Sequence, residues 1–330
     1  MITISVVVPV FNGENFISRT TMSLLDQNLD AFEIIVIDDG STDSTHAIVA
    51  QTFASTLSSA ANNRIIRQNN SGVSVARNTG LNNACGKYVI FFDADDLMNR
   101  DCLSKLYKRA EETSADIVIC GHDKVSEGGE IIKKYPRGYF EGVISGRAAL
   151  HEVFRGAVVP WTGSVLYRTD FLKRNSVRYQ PGCTNGEDGE FIWKALFLAN
   201  RVACLPETLV DYVQRKGSAV RSPSLARFHE VGALRRLRNF LIKNSAPYEL
   251  IWNMEERIIP ESYIRVLALL AASGLTKNET SVLLKHPFIH SEIRKYTPRS
   301  RKELIKSILF KRIPNLYFYY QSRKSKKALP

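Results

Sequence analysis

The sequence predicts an α/β protein: a mostly parallel sheet flanked by helices, followed by an α-helical C-terminal region. Three observations predict it. Between residues 1 and 120, short β-branched runs alternate with helix-length segments whose apolar residues recur every three or four positions. The strand runs are continuously apolar rather than alternating, as in strands covered on both faces. From Ser224 onward the pattern is almost wholly of helical period.

Ile4 to Val8 is the first strand, and Asn12-Gly13 breaks it. Glu14 to Gln27 carries Phe16, Ile17, Met22, Leu24 and Leu25 at helical spacing. Phe32 to Ile37 (FEIIVI) is the second strand, ended by Asp38-Asp39-Gly40-Ser41, with Thr42 or Asp43 placed to cap the next helix. Arg64 to Arg67 is a third strand, Val73 to Ala84 a helix, and Lys87 to Phe92 (KYVIFF) a fourth strand. Asp101 to Thr113 is a helix and Asp116 to Cys120 (DIVIC) a fifth strand. Lys124 to Tyr139 is polar and contains glycines, which predicts a hairpin or excursion. Gly146 to Phe154 and Glu187 to Ala199 are helical, and Arg201 to Leu205 and Leu209 to Val213 are short strands. Leu225 to Lys243 and Pro247 to Ala272 are long helical patterns, with Pro260 a kink or boundary. Ser222-Pro223-Ser224 separates the two styles, giving domains at residues 1–222 and 223–330.

At 330 residues, with 44% hydrophobic and 24% charged, the chain can bury a core without disulfides or a structural metal. Its five cysteines are scattered and odd in number, which predicts reduced thiols in a cytosolic setting. No apolar run is long enough to span a bilayer, and the apolar start reads as a strand rather than a leader peptide. The net charge is +12, but from His286 to the end twelve Lys/Arg face only Glu292 and Glu303. That tail is therefore +10 and the remainder only +2, which argues against a uniformly basic nucleic-acid binder.

The chemical signal lies at strand ends. Pro9-Val10-Phe11-Asn12-Gly13 follows the first strand, Asp38-Asp39-Gly40-Ser41-Thr42-Asp43 the second, and Asp93-Ala94-Asp95-Asp96 the fourth. In a parallel sheet these ends share one edge, where ligands bind. Carboxylates crowded there need cations or hydrogen-bond donors, and oxygen ligands suit Mg²⁺ or Mn²⁺. Taken singly, the Asp93-x-Asp95 pair is more often a solvated loop, and Asp38 to Ser41 is equally a turn with a helix cap. An EF-hand is excluded, because Met98 stands where the turn glycine belongs and Ser104 where the bidentate Glu belongs. Neither a dinucleotide fingerprint nor a P-loop occurs, and the six histidines have no zinc-ligand spacing.

In combination, SVVVPVFNGENFI, EIIVIDDGSTDST and NSGVSVARNTGLNNACGKYVIFFDADD, in that order and spacing, resemble the family 2 glycosyltransferases with the GT-A fold. The resemblance covers roughly residues 1–220 and implies a nucleotide-sugar donor, a divalent cation (Mn²⁺ or Mg²⁺) and inversion at the anomeric carbon. It assigns Pro9, Val10 and Phe11 to the nucleoside wall and Asp39 to the base, commonly uracil. It assigns Arg77 to the diphosphate, Asp93 and Ala94 to the donor, and Asp95, with Asp93, to the metal; Asp96 is left as a supporting residue or a helix cap. An acceptor hydroxyl needs a base. Glu187-Asp188, in TNGEDGEFIWKA, match the family's pair at the start of a helix, with Asp188 the base and Glu187 orienting the acceptor. Without the resemblance, the bare residues fit better an acidic first turn complementing a helix N-terminus. YVQRKGSAV implies diphosphate contacts from Arg215 and Ser218, with Lys216 a substitute. Trp161, in VPWTGSVLYR, is either a sugar-stacking acceptor residue or a core side chain, and Ser164 stands where the family often has Lys.

The implied function is transfer from a nucleoside-diphosphate sugar, commonly UDP-linked, to a saccharide acceptor, lipid-diphosphate-linked, in cell-surface polysaccharide assembly. The basic amphipathic stretch ELIKSILFKRIPNLYFYY, residues 303–320, fits an anionic membrane surface, placing the chain peripherally on the cytoplasmic face; a tail packed on the protein is the alternative. Non-catalytic nucleotide-sugar binding and nucleic-acid binding are the competing functions.

Overall fold

The computed structural model describes residues 2–55, 62–136, 138–215, 224–272, 282–283, 285–298, 304 and 308. Its contacts divide the chain into two compact units, residues 1–182 with 191–216 and residues 183–190 with 217–330. Arg221 to Pro223, at the expected boundary, and Lys216 and Ser218 lie outside the described residues, as does the tail beyond Pro298 apart from Leu304 and Ile308.

The first unit is a layered α/β body. Its elements are β1 (Ile4–Val10), α1 (Ile17–Leu25), β2 (Phe32–Asp38), α2 (Thr45–Ala54), β3 (Arg64–Arg67), α3 (Val73–Asn83) and β4 (Tyr88–Phe91). Then follow β5 (Leu97–Met98), α4 (Cys102–Thr113), β6 (Ile117–Ser126), β7 (Ile131–Lys134), β8 (Val143–Ile144) and α5 (Gly146–Arg155). The last are β9 (Val165–Arg168), α6 (Thr169–Arg174), α7 (Glu187–Leu198), which begins in the second unit, and β10 (Val202–Gln214). Among the described residues the strands form one sheet in the order β3-β2-β1-β4-β9-β6-β10-β5, with β7 on β6 and β8 on β10.

Every residue of β1 and of β2 is buried, as their unbroken β-branched runs require. Ile4, Val6, Val8, Ile34 and Val36 pack with Ile17 and Leu24 of α1 and Leu103 and Leu106 of α4. On the other face Phe91, Tyr167, Tyr179 and Phe191 meet edge to face or stacked, with ring centroids 4.0–6.2 Å apart. β1, β2, β3 and β4 run parallel, so their carboxyl ends open on one edge.

Three differences from the sequence reading have physical causes. β9 was not expected; it runs antiparallel between β4 and β6, and four residues are too few to show a period. The two short strands expected at 201–205 and 209–213 are one strand, β10, with register shifts between Cys204 and Thr208. Pro206, lacking an N–H, falls within that shift, and the break in pattern is a bulge rather than a turn. β6 outruns the predicted strand because it continues into an antiparallel hairpin with β7.

The second unit is helical: α8 (Phe228–Lys243), α9 (Tyr248–Asn253), a π-helical turn at Met254–Ile258, α10 (Ile259–Ala272) and α11 (Pro287–Arg294). Pro260 does not break the helix. Having no N–H, it leaves the Glu256 carbonyl without its helical donor; the π turn takes up the ring, and the Thr297 N–H donates to Glu256 O at 2.7 Å. No helix among the described residues is long and apolar enough to cross a membrane.

Candidate active site

The loop after β1 is pinned to the loop after β2. The Asn12 N–H donates to Ser41 Oγ (3.0 Å), the Thr42 N–H to Asn12 Oδ1 (2.8 Å), and the Gly13 N–H to Thr45 Oγ1 (2.7 Å). Pro9 and Val10 are buried and Phe11 is half exposed beyond them. Asp39 is buried one residue past β2. Its Oδ1 accepts from Gln68 Nε2 (2.7 Å) and the Ser71 N–H (2.9 Å), and its Oδ2 from the Gly72 N–H (2.8 Å). The residue assigned to the base therefore holds the 68–72 loop. Gly40, at φ +80°, lets the chain turn there, since a Cβ would sit 2.9 Å from the Asn70 nitrogen. Gly40, Arg67, Gln68, Asn69 and Asn70 line an open hollow of about 740 Å³, large enough for a nucleoside.

Arg77, on α3, is 2% exposed. It is neither a helix-surface arginine nor a side chain open to the cleft. Nη2 donates to Asp93 Oδ1 at 2.7 Å, and the guanidinium lies 5.0 Å from the Tyr179 ring centre. Ala94 is buried, and Thr20 Oγ1 donates to the carbonyls of Ala94 and Asp96 (2.8 and 2.9 Å), fixing the turn that aims these acids. Asp95 meets Arg215, which follows β10: Nε donates to Asp95 Oδ2 at 2.8 Å, and the guanidinium stacks 3.7 Å from the Phe16 ring centre.

Asp96 is neither a helix cap nor solvated. It is fully buried; Oδ2 accepts from Trp161 Nε1 (2.9 Å) and Oδ1 from the Val213 N–H (3.0 Å). Trp161 in turn lies against Tyr212 (4.4 Å between ring centres) and stacks on His122 (5.8 Å). Ser164, buried, caps that turn by accepting from the Trp161 N–H at 2.9 Å.

The electrostatics follow from crowding. Burial, then the charge of Asp93, pushes the Asp95 carboxyl upward, against the pull of Arg215. Burial, then Asp93 and Asp95, holds Asp96 well above the ordinary carboxylate range. Among the described residues no group of three or more His, Cys, Asp or Glu converges as a metal cage. The edge offers instead a pair of carboxylates, Asp93 and Asp95. That donor set fits Mg²⁺ or Mn²⁺, which take one or two carboxylates and complete their shell with water and substrate phosphate.

Pro9, Val10, Phe11, Asp39, Arg77, Asp93, Asp95, Trp161 and Arg215 thus belong to the sheet unit. Glu187 (buried) and Asp188 (half-buried) lie in the first turn of α7, in the 183–190 segment of the second unit. Gly186 (φ +81°) precedes them, and its carbonyl accepts from the Glu190 N–H at 3.0 Å. Phe16, Tyr179 and Tyr212 were not singled out from the sequence. Tyr212 was legible, because strand alternation puts it on one face with Gln214; the partners of Phe16 and Tyr179 were not.

The family described as Glycosyl transferase family 2 matches residues 5–175. GlyA, a glycosyltransferase of Streptococcus pneumoniae, is 33% identical over 228 residues, covering 66% of this chain and 31% of that protein. The chain spans about a third of the length of GlyA and under two thirds of the next two relatives it matches. Among solved structures, TarS 1–349 of S. aureus in complex with UDP-GlcNAc matches with a TM-score of 0.67 at 21% identity, over 89% of this chain and 88% of that one. The mannosyltransferase PcManGT of Pyrobaculum calidifontis, in complex with GDP-Man and Mn²⁺, matches with a TM-score of 0.56 at 18% identity, over 93% of this chain and 86% of that one. At these identities the likeness to both structures is one of fold.

Proposed function

The chain belongs to glycosyl transferase family 2, and from that premise we propose that it moves a sugar from a nucleoside-diphosphate sugar to a hydroxyl of a saccharide acceptor, inverting the anomeric carbon. The observation that carries this reading is the placement of Asp39, after β2, and of Asp93 and Asp95, after β4, at the carboxyl edge of the parallel strands, with Arg77 of α3 bonded to Asp93. The fold neighbour with the higher TM-score holds UDP-GlcNAc, which favours a UDP-linked hexose or N-acetylhexosamine.

In this reading Pro9, Val10 and Phe11 wall the nucleoside, and Asp39 shapes its hollow by holding residues 68–72. Asp95 and Asp93 would hold a divalent cation, which would supply positive charge against the departing diphosphate. Arg77 holds Asp93 from beneath, so the carboxylate keeps one orientation through the reaction. Arg215 and Ser218 belong to the segment that meets the diphosphate, and Arg215 balances Asp95 until then. Asp188 takes the proton of the acceptor hydroxyl as its oxygen attacks the face opposite the leaving group, and Glu187 orients that acceptor. Trp161, whose indole lies against His122 and Tyr212, borders the acceptor rather than stacking on it. A lipid-diphosphate-linked acceptor and peripheral membrane attachment through the basic tail complete the proposal, in cell-surface polysaccharide assembly.

The test is donor turnover: incubation with Mn²⁺ or Mg²⁺ and a panel of nucleotide sugars, with and without lipid-linked acceptors, followed by free nucleotide. Release of UDP from one donor, lost in Asp95→Ala, is the expected outcome. Absence of nucleotide release across the whole panel defeats the reading. Deleting residues 300–330 should lower co-sedimentation with anionic vesicles; unchanged sedimentation removes the tail's role.

A further inference from the structure

The helical unit grips the segment that carries Glu187 and Asp188. Arg236 of α8 reaches Glu190, in the first turn of α7: Nε donates to both carboxylate oxygens, at 3.1 and 3.0 Å, and Nη2 donates to Oε2 at 2.6 Å. Nη2 also donates to Cys183 Sγ at 3.2 Å, so one guanidinium joins the two ends of residues 183–190. Glu190 and Cys183 are both buried. A carboxylate taken that far out of water is costly unless a cation meets it with matched geometry, and a guanidinium spanning both oxygens does so.

Between those ends the start of the helical unit holds the chain at each step. The Thr184 N–H donates to His229 Nδ1 at 3.4 Å, and Asn185 Nδ2 donates to the carbonyl of Ala226, just before α8, at 3.4 Å. Gly186 lies so close to α8 that a Cβ would sit 2.8 Å from Glu230 Cα. Glu230 is tied in turn to α10, where its Oε1 accepts from Ser262 Oγ at 2.8 Å and pairs with Arg265. The first turn of α7 therefore starts from a fixed backbone and ends on a fixed side chain. Successive side chains leave an α-helix about 100° apart, so holding Glu190 sets the angle at which Asp188, two positions earlier, projects. None of these bonds involves a residue assigned to the donor.

From this clamp we propose that Arg236 is a positioning residue for glycosyl transfer. Through Glu190 and Cys183 it holds the first turn of α7 at the angle that Asp188 needs to take the acceptor proton. The inference rests on the glycosyl-transfer reading and adds to it a residue of the helical unit that touches neither donor nor acceptor.

The experiment measures UDP release, with Mn²⁺, from the UDP-sugar that turns over fastest in the donor panel. The proteins are wild type, Arg236→Met, Arg236→Lys, Glu190→Gln, Asp188→Asn and the Arg236→Met/Asp188→Asn double variant, each also titrated with UDP by calorimetry. Arg236→Met and Glu190→Gln are expected to lower kcat at least about 10-fold, the scale of a displaced catalytic group, with UDP affinity within about twofold of wild type. Arg236→Lys, which keeps the charge, should recover part of the loss. In the Asp188→Asn background Arg236→Met should cost less than about twofold more, because a residue acting through Asp188 has nothing left to position. Unchanged kcat, equal falls in kcat and UDP affinity, or a full further loss in the double variant overturns the proposal. Should Arg236→Met fail to fold, Glu190→Gln and Arg236→Lys carry the same test. Inactive Asp188→Asn beside fully active Arg236 and Glu190 variants defeats this inference alone. A wild type that releases UDP from no donor defeats the glycosyl-transfer reading itself, and this inference with it.

Discussion

His122, stacked on the Trp161 that holds Asp96, gives a sharp test of the packing beside the acidic edge. Burial, and then the charge of Lys133, pulls its imidazole from the ordinary 6.5 down to about 4. The ring therefore stays neutral in the fold while the unfolded chain binds a proton below its ordinary value. Stability from this group is present in full above pH 6.5 and is lost as the pH falls through that value towards 4. At 1.36 kcal/mol per unit, a shift of roughly two to three units corresponds to about 3 kcal/mol in full and about 2 kcal/mol at pH 5. The assay is urea unfolding near pH 7 and near pH 5 for wild type and His122→Phe, which keeps a ring in the stack but cannot titrate. Wild type should lose about 2 kcal/mol more than the variant between the two conditions. Identical pH responses in the two proteins refute the reasoning. An imidazole NMR titration of wild type with a midpoint above pH 6 refutes it independently of how the variant folds.

Asp188→Asn should lower kcat by at least about 10²-fold with circular dichroism unchanged, the lower end for a lost general base, and near-normal turnover removes Asp188 from that role. Arg77→Met strips the buried partner from Asp93 and leaves two carboxylates adjacent; an unfolding loss of about 3 kcal/mol is expected, and a loss under about 0.5 kcal/mol shows the pair to be dispensable. Gly40→Ala forces a side chain into a left-handed turn and against Asn70, so UDP affinity should fall about 10-fold, and unchanged affinity detaches this turn from the nucleoside.

Much of the sheet unit was legible because its strands are covered on both faces. Such strands must be unbroken apolar runs, and β1, β2 and β4 read out directly together with the polar clusters at their ends. The longer helices were legible from their period, but the short α6 and α11 were not, nor was the π turn that accommodates Pro260. β9 was illegible because it is short and lies between other strands, where burial alone sets its composition. Within the site, the sequence marks Asp93 and Asp95 as acids at a strand end, but not that Arg77 lies beneath one and Arg215 against the other. Nor does it separate Asp96 from its neighbours, although the three adjacent acids have different surroundings.

The sequence by itself determined the kind of sheet, the strand ends that bear acids, and the family that such an order of motifs implies, because apolar period and turn chemistry are local properties of the chain. Only the tertiary structure decided which charges meet. Asp95 and Arg215 are separated by 119 intervening residues, and Lys124 and Lys133 face each other through a hairpin register that a slip of one residue would undo. Pairing of that kind depends on strand order and register, which arise when distant segments pack and are written in no single stretch of the chain.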